Sequence, residues 1–376
     1  MEKRSRNASM ELLRVLAMLM IIGHHLVYYS ALTSYDPCVG RYFAQMVNVG
    51  GRIGVNLFVM IGAWYMSGRK YRMMRTARIW LQTFTTGLLA LLAAVLIGGK
   101  GSVPDFGSAL RGALLPVSQG GYWFAGAYIM LTLMTPFLNR LLDSVKRQGL
   151  DVLLGVMTFM MAVLPTVFIG KTTYFSPIFW FVYLYLLIGR LRRWPVKRLA
   201  RWGKWMFLAG VLFVFGASLS FEKLGASSEF YRANINYFSN RQETLPVLLA
   251  SIGLFLAFVR KKPFVSRPIE WLGKVCFGVY LIHDNALLRR HIWSGLVKAG
   301  SLAHSVWFIP YAVCAVCLVF IGCAAVETIR LQTVGRLEGM LLDRLRGPMA
   351  RFDRMIEEST GAVGSMEEER KDDQQP

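Results

Sequence analysis

Between Glu11 and Tyr29 the chain reads ELLRVLAMLMIIGHHLVYY. The run suits lipid, yet it holds an arginine near its start and two adjacent histidines. On a helix, the eleven steps from Arg14 to His25 rise about 16 Å and return to within about 20° of the same face, while His24 points about 80° away. A fixed cation and a titratable imidazole therefore lie on one line. Each such group costs about 2.5–3.5 kcal/mol at the centre of a bilayer, so both are expected to face a polar cavity. Arginine suits an anion such as a phosphate, through bidentate bonding. Histidine suits proton transfer near neutral pH. The bland alternative is that Arg14 snorkels to the interface and the histidines bond to neighbouring helices.

Two more polar groups interrupt apolar segments. His283 and Asp284 are read as the middle of a later helix. There an acid beside a histidine can orient a base, bond an acceptor hydroxyl or tie helices together, and Asn285 can join it. Arg52 and Asn56 sit four apart at the outer end of the second apolar segment, where they are expected to pack helices, or else to contact a sugar or each other. The five cysteines suggest no bridge: Cys38 alone falls in an exterior loop, and the Cys314/Cys317 pair on an apolar helix is read as packing.

The elements that hold these groups are apolar throughout. Of 376 residues 55% are hydrophobic and 17% charged, against about 25% charged in a soluble domain. The expected fold is all-α, a polytopic transmembrane bundle of about ten spans: 12–30, 50–67, 77–98, 122–139, 151–170, 175–190, 203–220, 243–259, 273–290 and 305–326. A sheet is excluded, because backbone in hydrocarbon must satisfy itself locally. The net charge of +21 does not point to nucleic acid, because the basic residues crowd beside the apolar segments. Counted over alternate connections, 31 Lys and Arg fall on one side and 10 on the other, which predicts both termini in the cytoplasm. Residues 1–11, with Lys3, Arg4 and Arg6, form a cytoplasmic tail before the 12–326 membrane domain. Residues 327–356 are expected to add an amphipathic helix on the inner surface, and 357–376 a disordered acidic tail. Trp123 and Trp180, with Tyr122 and Tyr174, begin helices from the outer face, as an aromatic belt would.

The R-x10-H pattern from Arg14 to His25 resembles the signature of the bacterial membrane acyltransferase 3 family. In order along the chain, GVNLFVMIGAWY (Gly54–Tyr65), YWFAGAYIMLTLMTPFLNRLL (Tyr122–Leu142), WFVYLYLLIGRLRR (Trp180–Arg193) and FGVYLIHDN (Phe277–Asn285) are similar to its later segments. The resemblance implies a multi-pass protein of the bacterial cytoplasmic membrane. It also implies O-acylation, most often O-acetylation, of an extracytoplasmic sugar or polysaccharide by a cytosolic acyl-CoA. On that resemblance His25 is the catalytic histidine and Arg14 its motif partner; the residues themselves suggest His283 or Asp284 to orient it. Ile61 departs from the pattern, which has Ser before the glycine that is Gly62 here.

The stretch RKYRMMRTAR places Arg72, Arg75 and Arg78 at i, i+3 spacing, a stripe suited to the phosphates of coenzyme A or to anionic headgroups. Trp123 is a further candidate for stacking on a sugar ring. Acyl-CoA enters as a co-substrate; no permanently bound cofactor and no metal-ligand cluster is expected, and no nucleic-acid partner. The competing class is a transporter or flippase for a lipid-linked sugar. It would show broken helices paired between two repeats, a pairing the sequence lacks.

Overall fold

A computed structural model describes residues 8–98, 103, 105–118, 121–170 and 176–360. Of the expected tails at 1–11 and 357–376, residues 1–7 and 361–376 lie outside the described residues, as does Tyr174, while 8–11 begin one helix and 357–360 end another. The helices run α1 (Ala8–Tyr29), α2 (Val39–Met66), α3 (Met73–Gly98), α4 (Phe106–Leu114), α5 (Trp123–Ser144) and α6 (Arg147–Thr158). A π turn over Phe159–Val163 leads into α7 (Leu164–Val167). Then come α8 (Pro177–Arg193), α9 (Lys197–Arg201), α10 (Gly203–Leu224), α11 (Glu229–Ala233), α12 (Leu245–Val259), α13 (Arg267–His283), α14 (Phe308–Gln332), α15 (Val334–Arg344) and α16 (Arg346–Thr360). No strand occurs among the described residues. Prolines in the first turn start α8, α12 and α13, where their missing N–H is no loss.

Among the described residues six helices are long and apolar enough to cross a membrane: α1, α2, Met73–Ile97, Arg147–Val167, α10 and α14. The predicted spans at 122–139, 175–190, 243–259 and 273–290 fall on α5, α8, α12 and α13, which do not meet that length and composition. The protein is thus an all-helical, multi-pass membrane protein. Two boundaries differ from expectation in ways that matter below. Helix α2 is far longer than 50–67, so Arg52 lies along it rather than at its end. The predicted 273–290 helix stops at His283, so Asp284 is not mid-helix. The Asn285 side chain accepts from the Leu287 backbone N–H at 2.9 Å, a local bond that competes with helix continuation.

Helices α1 and α2 form the centre. Helix α1 packs on α2, α13 and α14, and α2 on α8 and α12. Glycine permits the close approach: a Cβ on Gly54 would stand 2.6 Å from the Ala17 carbonyl oxygen. In place of one amphipathic helix over 331–356, the break at Thr333 separates α15 from α14, and both α15 and α16 fold against α3. The cause is a buried ionic network. Arg330 bonds Glu327 at 2.7 Å and Glu338 at 2.5 Å; Gln82 donates to Glu327 at 2.9 Å and Thr85 to Glu338 at 2.5 Å. Lipid would leave these groups unpaired, so the chain turns inward to satisfy them.

Candidate active site

The imidazoles of His25 on α1 and His283 at the end of α13 meet, Nδ1 to Nε2, at 2.9 Å. Their proton positions follow from one fixed point. His283 Nδ1 lies 2.6 Å from the Val279 carbonyl oxygen, which only accepts, so Nδ1 carries the hydrogen. Neutral His283 then presents a bare Nε2, and His25 must donate to it from Nδ1. The lone pair of neutral His25 is thereby assigned to Nε2. That nitrogen stands 3.9 Å from Asp284 Oδ1. Asp284 is itself held by the Tyr29 hydroxyl at 2.7 Å, and the Arg289 guanidinium lies over the Tyr29 ring at 5.4 Å. Sequence reasoning joined His283 or Asp284 to His25 as its orienting partner. It missed Tyr29, although that residue follows His25 by one helical turn, and Arg289.

A narrow pocket of about 370 Å³ opens beside this cluster, bounded by Met18, Ile21, His25, Phe58, Trp123 and Asp284 among others. It corrects the expectation of a polar cavity running from Arg14 to His25. The positions between them on that face are Met18 and Ile21, four and seven residues beyond Arg14, and both line the pocket. Arg14 does not line it; its guanidinium pairs with Glu11 one turn earlier. His24, on the other face, bonds the Asn48 carbonyl at 2.9 Å and packs against Gly51. Ile61 is fully buried and outside the pocket lining.

The remaining candidates separate. Trp123 is 40% exposed and lines the pocket. Asn56 is 0% exposed, its carboxamide filled by the Gln242 carbonyl, Ser251 and the Trp180 indole N–H. This overturns the belt expectation for Trp180, which is wholly buried, and for Tyr122, whose hydroxyl donates to the Leu281 carbonyl at 3.0 Å and accepts from Asn285. A polar edge on each ring found a partner inside the bundle instead of at the interface. Cys314 and Cys317 are exposed on α14 rather than packed. Arg52 interacts with Glu243 and Tyr28, and its buried Nε has no hydrogen-bond partner.

Arg72, Arg75 and Arg78 share one groove, and its other wall is α16, with Arg346, Met349 and Asp353. Asp353 accepts from the Met73 backbone N–H at 2.7 Å. A carboxylate from the far end of the chain thus sits on the first turn of α3, where the helix dipole favours negative charge. The sequence showed the arginine stripe but not its cover. Among the described residues, no group of three or more His, Cys, Asp or Glu is placed to hold a metal ion.

An apolar multi-helix bundle with an imidazole pair, a carboxylate and a pocket at its centre is a membrane protein that holds ionisable groups among its helices. The chain belongs to the acyltransferase 3 family, whose acyltransferase domain matches residues 7–328, and it is a membrane acyltransferase. No curated protein and no solved structure matches the chain.

Proposed function

We propose that the protein moves an acyl group, most simply acetyl, from a cytosolic acyl-CoA to a hydroxyl of an extracytoplasmic saccharide, with both termini in the cytoplasm of a bacterial cell. The observation that carries this is the relay from the Val279 carbonyl through His283 to His25, which leaves a bare Nε2 beside the pocket. In this reading Nε2 takes the proton of the acceptor hydroxyl as its oxygen attacks the thioester carbonyl. The tetrahedral intermediate collapses with cleavage of the carbon–sulfur bond. The imidazolium returns its proton to the departing thiolate, giving free CoA and an ester. His283 orients His25 as a carboxylate or carbonyl orients the base of other acyl-transfer sites.

The donor's phosphates are assigned to the groove of Arg72, Arg75 and Arg78, where three guanidinium groups gather at the end of the bundle away from His25. Its uncharged pantetheine arm suits the apolar pocket wall at Met18 and Ile21 better than a charged group would. Arg14 is assigned a structural role beside Glu11, short of the reacting atoms.

The test is transfer of radiolabel from acetyl-CoA to cell-surface glycan in membranes holding wild-type or His25→Ala protein. Replacing a general base costs about 10²–10⁴-fold. Retained transfer by a folded His25→Ala variant overturns the proposal, as does import of label without ester formation, the behaviour of a transporter.

A further inference from the structure

At the end of the bundle where α1 stops, a second cavity of about 790 Å³ lies between the 3-10 turn Leu32–Ser34 and the connection from α11 to α12. Its lining is polar: Thr33, Ser34, Arg232, Asn234, Asn240 and Arg241. No Asp or Glu lines it, and of its two arginines only Arg241 has a carboxylate partner, Glu243 at 3.0 Å. Arg232 spends its Nε on the Gly225 carbonyl at 3.0 Å, which leaves the terminal guanidinium nitrogens for other partners. Asn234 gives one N–H to the Phe230 carbonyl and keeps its oxygen, while Asn240 accepts through its oxygen and keeps its N–H₂. Carboxamides with one face used and one face open, beside two cations, suit a hydroxyl-rich ligand that also bears negative charge.

The wall of this cavity is tied to the imidazole region. Asn48 on α2 donates to Asn240 at 2.8 Å and to Ser239 at 3.0 Å, while its backbone carbonyl bonds His24 at 2.9 Å. His25 follows His24 and lies one turn before the end of α1. Arg52, one turn beyond Asn48 on α2, acts electrostatically on both histidines and on Glu243, and its buried Nε has no hydrogen-bond partner. We infer that this cavity is the acceptor subsite and that the acceptor is an anionic glycan, such as one built on uronic acid residues, whose carboxylates meet Arg232 and Arg241 while a hydroxyl reaches toward His25.

This inference rests on the saccharide acceptor proposed above, so its test is binding. Full-length protein in lipid nanodiscs is titrated with a hexamer of galacturonic acid and, separately, with uncharged maltohexaose. The galacturonate hexamer should bind about tenfold more tightly than maltohexaose, with the difference shrinking as salt rises. Arg232→Gln should erase most of that preference. Ser34→Trp, which fills the cavity from an exposed position and removes no side-chain hydrogen bond, should weaken both ligands and serves if Arg232→Gln does not fold. Equal binding of the two hexamers, or full galacturonate binding by folded Ser34→Trp protein, overturns the subsite. If binding behaves as expected but no label ever moves from acyl-CoA to glycan, the enzymatic reading falls and the subsite stands.

Discussion

The assignment of proton positions along the Val279–His283–His25 line makes a sharp demand on position 283. Leucine there removes the acceptor for His25 Nδ1–H and leaves that donor buried. The lost hydrogen bond is worth about 1 kcal/mol and the unsatisfied donor about 1–3 kcal/mol. Together they favour the wrong tautomer, with the hydrogen on Nε2, by about 2–4 kcal/mol. At about 1.36 kcal/mol per tenfold, kcat should fall about 30- to 900-fold. Glutamine is the informative partner variant, because its side-chain oxygen can stand where Nε2 stood and accept the same hydrogen. His283→Gln should retain activity within about tenfold of wild type. Both proteins are reconstituted in liposomes and assayed for transfer of labelled acyl groups at saturating donor, after a thermal melt shows that each is folded. Neither residue lies in the arginine groove, so the donor KM should stay near wild type in both. Leucine at full rate would refute the relay. Leucine and glutamine equally inactive, though both folded, would refute the polarity assigned to the His25–His283 bond.

Other sites yield further tests. Trp180→Phe strips the only indole donor from Asn56 Oδ1 and should destabilise the bundle by about 1–3 kcal/mol, read as a lowered melting temperature in detergent. Glu327→Ala leaves Arg330 buried with Glu338 as its remaining carboxylate and should cost about 3–5 kcal/mol in the same melt. Arg75→Ala should raise the donor KM about tenfold with kcat held, an effect that fades in high salt. Asp353→Asn withdraws a carboxylate from the same groove, so the donor KM should drop; a rise would mean that α16 helps to hold the donor rather than compete with it.

The sequence made the helical class plain because apolar length is a one-dimensional property. It also gave the angular relation of Arg14 and His25, since helix pitch converts spacing into direction. Pitch says nothing of partners. Met18 and Ile21 stand on that same line, and only the structure shows that they line the pocket at His25 while Arg14 does not. The end of α13 was written in Asp284-Asn285, residues that bond their own backbone, but an apolar window averages such short signals away. Trp180 looked interfacial from its place at a helix start; only the packing of α8 on α2 supplies Asn56 as its acceptor. The cover over the arginine stripe joins residues 280 positions apart in the chain, Met73 and Asp353, a relation with no local signature.

The placement of charge in this bundle suggests a division of labour between its two ends. Arg72, Arg75 and Arg78 gather where α2 gives way to α3, and Arg232 and Arg241 gather beyond the end of α1, so each end offers guanidinium groups to an anion. Between them the pocket beside His25 is lined mostly by Met, Ile, Val and aromatic side chains. A free phosphate or carboxylate would shed its water at high cost to enter that middle region, whereas a neutral thioester or a single hydroxyl would not. On the proposed function, this arrangement would let two charged substrates bind from opposite sides while only their uncharged reacting groups meet at Nε2. A water-filled passage would lose that discrimination and expose the thioester to hydrolysis. This gives the apolar residues between Arg14 and His25 a functional reason that a continuous polar seam would not have provided.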